Sequence, residues 1–203
     1  MARSMPFSRA AAPAALIVIL LASGCASRQE AASGPPQEPL PDWVRVVPTT
    51  AQGKAYYVGG CSMAVTLEAG LEMAEGDALS QLESEAREHM REIVGNAQRG
   101  SDIDITSTER GRLRMQAGTA LADALIEAAE RESTFHRDCG GEEGGAVCQI
   151  FALLTVPLEE WDRQVLRVLT AEAAGAREEG QPARAELAEF TARYYVPRAG
   201  ESR

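Results

Sequence analysis

Outside its N-terminal segment, this 203-residue chain has three cysteines and two histidines with which to do chemistry. Cys139 and Cys148 bracket Gly140-Gly141-Glu142-Glu143-Gly144-Gly145, which reads as the tip of a hairpin. On paired strands their sulfurs can meet, and in an oxidising compartment the arrangement predicts a disulfide. Closing so short a loop stabilises by on the order of 2–3 kcal/mol in the chain-entropy description. The alternative is a zinc site built from His136, Cys139, Cys148 and Cys61, whose thiolates and imidazole are suitable ligands. Against it, Cys139 and Cys148 lack the close-pair spacing of structural zinc sites. Cys61 by itself reads as a small buried apolar residue, and a disulfide through Cys61 stays open. His136 and Cys139 could form a base–nucleophile pair, but three residues along a strand put them on opposite faces. His89, among Glu85, Glu88 and Arg91, reads as solvated. The glycine tip has two carboxylates and no lysine, so it is a turn and not a phosphate cradle. No carboxylate pair stands out by spacing among 30 acidic residues. The expectation is a protein that is not an enzyme, with no catalytic residue, metal or cofactor.

These residues must be held by elements that the hydrophobic pattern outlines. Tyr56-Tyr57-Val58-Gly59-Gly60-Cys61 is an aromatic and β-branched run closed by a glycine pair, and predicts a buried strand. Leu67, Leu71, Ala74, Ala78, Leu82, Ala86, Met90 and Ile93 then recur at three- and four-residue steps, predicting one long amphipathic helix. Gly95, Asn96 and Gly100 signal its stop. Ser101 to Thr106 alternates polar and apolar, as a short strand would. Leu113, Ala117, Leu121, Leu125 and Ala128 predict a second helix, to about Glu132. Thr134 to Cys139 and Val147 to Val156 are the arms of the hairpin. The return arm is apolar on both faces, which suits a central strand. Pro157 ends it, and Trp161, Val165, Val168 and Leu169 form the stripe of a third helix. From Ala171 onward the chain is rich in Ala, Glu, Arg and Gly, with Tyr194-Tyr195-Val196 its only sticky patch.

The N-terminus reads as an address. Arg3 and Arg9 precede an apolar run from Ala10 to Ala22, followed by Ser23, Gly24 and Cys25, the order of a secretory signal. The run is shorter than the roughly 20 apolar residues a membrane span requires. Leu21-Ala22-Ser23-Gly24-Cys25 resembles the lipobox of bacterial lipoproteins. That resemblance implies cleavage before Cys25 and acylation of its sulfur and new amine, and several acyl chains make a stable anchor. Ala26 after the cysteine resembles the outer-membrane sorting choice. Ala26 to Pro41, rich in Pro, Ser and Gly, cannot bury enough surface to offset its ordering entropy. As a coil it would reach a few tens of ångströms, by roughly 5–6 Å times the square root of its length. Removing residues 1–24 also removes two arginines, so the formal charge goes from −10 to −12. An acidic body argues against nucleic acid, which requires a basic surface.

Pro41-Asp42-Trp43, then Tyr57-Val58-Gly59, then a helix punctuated by Ala69, Ala74, Ala78 and Ala86 resembles the Lpp-twenty lipoprotein family. That family also takes in flagellar outer-membrane lipoproteins of the FlgP kind and the N-terminal part of FlgT. The resemblance covers about Pro41 to Ile105, and more loosely Ile150 to Val156. It implies a non-enzymatic, envelope-located α/β domain that works in multi-copy assemblies.

Four segments follow from these readings: a lipoprotein signal over 1–24, a flexible tether over 25–41, one α/β (α+β) domain over 42–172, and a polar helical or disordered tail over 173–203. The domain should hold an antiparallel or mixed sheet of about three to five strands, packed by two or three helices. The functional expectation is an adaptor or structural subunit of an envelope assembly, flagellar or trans-envelope, held at the outer membrane by lipid on Cys25. It would face the periplasm or the cell surface, contact envelope proteins and itself, and bind no nucleic acid. The alternative is a binding module for a small envelope ligand such as a peptidoglycan fragment or polysaccharide. A ligand module should show a cleft with convergent polar groups. An adaptor should show an exposed apolar patch or an open sheet edge.

Overall fold

A computed structural model describes residues 39–45, 50–138 and 147–200. In order, they form α1 (Asp42–Arg45), β1 (Thr50–Ala51), β2 (Lys54–Cys61), α2 (Leu67–Arg99), α3 (Ser107–Ala128), β3 (Glu130–Asp138), β4 (Val147–Pro157), α4 (Leu158–Glu178) and α5 (Pro182–Arg193), then a 3₁₀ turn at Arg198–Gly200. The strands make one antiparallel sheet in the order β1-β2-β4-β3. The fold is α+β, as the pattern predicts. Among the described residues, no helix is long and apolar enough to cross a membrane.

β1 and β2 are joined by Gln52 and Gly53, at φ 52° and 74°. Two consecutive positive φ values make the hairpin turn whose twist matches the strands it joins. β4 is central, as its two-sided apolar run predicts. Ile150, Ala152, Leu154 and Val156 face the helices, while Leu153, 4% exposed, lies on the other face between Val58 and Ser133.

The strand–helix unit β2–α2 packs with almost no space between its backbones. A Cβ on Gly59 would sit 1.9 Å from the Ala74 carbonyl oxygen and 3.0 Å from Ala78 Cβ. Glycine on the strand and small residues on the helix are therefore two halves of one contact. The same helix closes the outer edge of β2. The Gly60 N–H donates to Asp77 Oδ2 at 3.0 Å, and Gln81 Nε2 donates to the Val58 carbonyl at 3.0 Å.

Three expectations are corrected. Residues 101–106 are not a strand but a lead-in to α3. Ile105 is buried there as an anchor, and Thr106 forms a capping box with Glu109 that starts the helix at Ser107, earlier than the Leu113 stripe suggests. Gly95 does not stop α2, which runs to Arg99 and is capped at Gly100. Finally, the chain beyond 172 is helical but is not a solvated tail. α4 continues to Glu178 and closes with a Schellman arrangement, Gln181 N–H to Ala176 O at 2.8 Å and Gly180 N–H to Arg177 O at 3.0 Å, with Gly180 at φ 69°. Pro182 then opens α5, where its missing N–H costs nothing. α5 folds back onto α4, burying Ala185, Leu187, Ala188 and Thr191. Arg184 is buried with them and reaches Glu179 at 3.2 Å.

Candidate functional site

The returning C-terminus builds a site that no motif announced. After α5, residues 194–199 run across α4 and α2 as a strap fastened mainly at one carboxylate. Asp162, only 8% exposed, accepts from Tyr195 Oη at 2.7 Å, from the Arg198 N–H at 2.9 Å and from the Ala199 N–H at 3.0 Å. Three donors on one carboxylate satisfy its charge where water is largely excluded. Arg198 is fastened a second way. Its guanidinium lies over the Trp161 ring, 4.4 Å from the centroid, and its Nη2 donates to Glu85 at 2.6 Å. That places a cation on the negative face of an aromatic ring and against a carboxylate together.

His89 sits in this cluster, correcting the expectation of a solvated histidine. Its ring is edge-on to Trp161 and to Tyr195, with centroids 5.9 Å away in both cases. Burial lowers its pKa first and the Arg198 charge adds to that, while Glu92, Glu85 and Asp162 pull the other way. The Tyr57 and Tyr195 phenols are both raised, chiefly by burial, with Glu85 acting on the first and Asp162 on the second. Around them lie buried polar atoms with no hydrogen-bond partner among the described residues, His89 Nε2, Trp161 Nε1 and Arg198 Nη1, while Tyr57 Oη lies against Glu85 and Arg198. Such atoms are uncommon in protein interiors, and a concentration of them calls for an account.

Beside this cluster opens a cleft of about 800 Å³ between α2 and the α5–strap segment. That lies within the range of roughly 300–1,000 Å³ over which small-molecule sites fall. From α2 come His89, Glu92, Ile93, Asn96 and Ala97; from the other wall come Phe190, Thr191, Tyr194, Tyr195, Val196 and Arg198. Phe190 and Tyr194 stack at 4.4 Å between centroids, and Tyr194 is 62% exposed.

Of the residues singled out from the sequence, His89 and Tyr194-Tyr195-Val196 meet here, whereas the cysteines and His136 do not. Cys25 and Cys139 lie outside the described residues, as does the side chain of Cys148, so the lipid and disulfide expectations stand as expectations. Cys61 is buried, as read, and its thiol donates to the Met63 carbonyl at 3.3 Å beside Met73 Sδ at 3.8 Å. His136 is exposed on β3. Cys61 and His136 both lie opposite Ile150, one on each side, so two strand spacings of roughly 9.5 Å separate them. They are not brought together as zinc ligands. Among the described residues, no group of three or more His, Cys, Asp or Glu is placed to hold a metal ion.

A second surface stands out at the β2–α2 corner. Met63, Val65 and Met73 are 77%, 96% and 59% exposed, with Leu67 beside them. The corner continues into a shallow groove lined by Leu67 and Leu71 and rimmed by Glu68, Glu72, Glu75 and Arg131. The chain matches no protein-family model, no curated protein and no solved structure.

Proposed function

We propose that this protein is an outer-membrane lipoprotein, anchored through Cys25, that serves as a structural adaptor in an envelope assembly. The observation that carries the adaptor role is the exposed apolar corner of Met63, Val65, Leu67 and Met73. Apolar side chains grouped on a monomer's surface mark interaction sites, and methionine suits a surface that must adapt to its partner. The acidic rim of the adjoining groove favours a partner whose own apolar face is bordered by basic residues. The β2 edge beside the corner contributes little to docking, because Asp77 and Gln81 already occupy its outer groups. The anchor resemblance supports the address, and the Lpp-twenty resemblance supports work in an assembly. Confinement to a surface raises the effective concentration of the domain for its neighbours.

The test is in-cell crosslinking at native expression, followed by purification through a C-terminal tag and mass spectrometry. A fixed set of envelope proteins should be recovered, lost with Val65→Glu at the corner and lost with Cys25→Ala at the anchor. Recovery that ignores Val65→Glu removes the corner from the proposal. Recovery that ignores Cys25→Ala removes the anchor.

A second reading, a binding module for a small envelope ligand, is favoured by the cleft between α2 and the strap, with its aromatic wall and converging polar groups.

A further inference from the structure

The cleft is selective about what could fill it. Its α2 wall runs from His89 to the cap at Gly100, eleven residue steps and so about 16 Å of helix. That is a trough for something elongated but short. Backbone hydrogen bonds have little to offer along it. α2 and α5 use their own N–H and C=O groups internally, so a peptide laid in the trough could pair only with the few irregular residues of the strap, where the Arg198 and Ala199 N–H groups are already given to Asp162. Recognition must come from side chains.

Those side chains suit neither a strong anion nor a cation. Glu92 lines the trough with negative charge, and the Arg198 guanidinium is engaged by Glu85 through Nη2 and by the Trp161 face, while its partnerless Nη1 is buried out of a ligand's reach. A cationic ligand would in turn meet Arg198 at close range. What remains is a set that can both give and accept hydrogen bonds without a net charge. Asn96 carries an amide whose oxygen is taken by Arg99, leaving its NH₂ to donate. Glu92 accepts. His89 contributes part of its ring to the wall, while its partnerless Nε2 is buried beneath Trp161 and Tyr195, out of a ligand's reach. On the other wall stands Tyr194, exposed, with the Phe190 ring packed tilted against it. The face of an aromatic ring is electronegative, and the C–H bonds on one side of a pyranose are its natural complement.

We propose that the cleft binds an uncharged glycan, a short run of pyranose rings lying along α2 with one ring on Tyr194 and its hydroxyls on Glu92 and Asn96. The proposal rests on the ligand-module reading and names its ligand class. It is independent of the apolar corner.

The test uses the full chain in a polyoxyethylene detergent, whose headgroup carries no sugar, titrated calorimetrically with chitotetraose and, separately, cellotetraose. Saturable one-site binding is expected for at least one of them. Tyr194→Ala should weaken it about tenfold, the scale of losing one good ring contact, whereas Tyr194→Phe keeps the ring and should keep the affinity. Met115→Ala, at an exposed site away from the cleft lining, should change nothing. Absence of saturable binding with both sugars at millimolar concentration overturns the glycan assignment, as does binding indifferent to Tyr194→Ala. The same protein is then titrated with tetramethylammonium and with a short-chain fatty acid. Binding of either, lost in Tyr194→Ala, would keep the cleft as a ligand site while refuting the glycan. If none of the four probes binds, the ligand-module reading falls as well.

Discussion

Asp162 Oδ1 accepts the backbone N–H of Arg198 at 2.9 Å, joining α4 to a residue thirty-six positions further along the chain. That bond, with those from Tyr195 and Ala199 to the same carboxylate, fixes the strap and so sets one wall of the cleft. The strap is held by few groups, and its behaviour should hinge on them.

Replacing Asp162 by Ala leaves Tyr195 Oη and two backbone N–H groups without their acceptor. Hydrogen bonds to a charged group contribute about 1.5–3 kcal/mol each, but the strap can lift and rehydrate, so the loss in global stability should be well below the sum, about 2 kcal/mol. The sharper signature is local. Hydrogen exchange at Arg198 and Ala199 should accelerate far more than exchange within α2. Equal protection in wild type and variant would mean that Asp162 does not fasten the strap.

Two glycines separated by seventeen residues should respond to alanine with opposite signs. Gly59→Ala drives a methyl to 1.9 Å from the Ala74 carbonyl, so backbone must move, and overpacking of this kind costs about 1–3 kcal/mol or more. Gly76 is exposed on α2 with nothing within 4 Å of the added methyl, so Gly76→Ala should stabilise by about 0.4–1 kcal/mol by reducing the freedom of the unfolded chain. Urea midpoints of the two variants should fall on either side of wild type. A Gly59→Ala midpoint at or above that of wild type would sink the claim of close contact.

Asp77 and Gln81, one turn apart on α2, stand where a neighbouring strand would otherwise pair with Val58 and Gly60. Removing both side chains exposes the outer edge of β2, and unpaired strand edges recruit other chains. The double variant Asp77→Ala, Gln81→Ala should therefore associate as its concentration rises, seen by sedimentation velocity, at conditions where the wild type shows no such trend. Unchanged sedimentation would show that something else guards this edge.

What the sequence made legible was the part whose signal is local or periodic. The alanine ladder of α2 and the glycine pair of β2 predict a tightly packed strand and helix, and the contact of Gly59 with Ala74 and Ala78 is that packing. The two-sided apolar run of β4 placed it inside the sheet. Residues 101–106 misled because Ile103 and Ile105 alternate as in a strand, although Thr106 and Glu109 already carried the capping signature. The packed C-terminus was hidden for a different reason. Its stripe is thin, Ala185, Leu187, Ala188 and Thr191, and it shares the helix with Arg184, whose burial depends on Glu179 across the turn. Of the cleft only the Tyr194-Tyr195-Val196 patch was legible, because the cleft joins residues about a hundred positions apart. His89 has charged neighbours in sequence, yet lies three residues beyond Ala86, at the border of the buried stripe, where Trp161 and Tyr195 close over it.

His89 should also give the domain a pH dependence whose sign follows from its surroundings. In the folded state its pKa is lowered from 6.5, first by burial and then by Arg198, with Glu92, Glu85 and Asp162 opposing in part. The unfolded chain therefore binds a proton more readily than the native one, and stability must rise with pH wherever that difference is populated. The contribution is fully present above about pH 6.5 and is lost as pH falls below that value toward the lowered folded pKa. Charging the ring would also set a second cation against Arg198, so the strap should feel the loss first. Urea midpoints from pH 7.5 down to 5.5 should decline in the wild type, and His89→Gln should flatten that decline while losing some stability at pH 7.5. Hydrogen exchange at Arg198 and Ala199 should follow the same slope. If the variant declines as steeply as the wild type, the pH dependence belongs to other groups, and His89 is a packing residue alone.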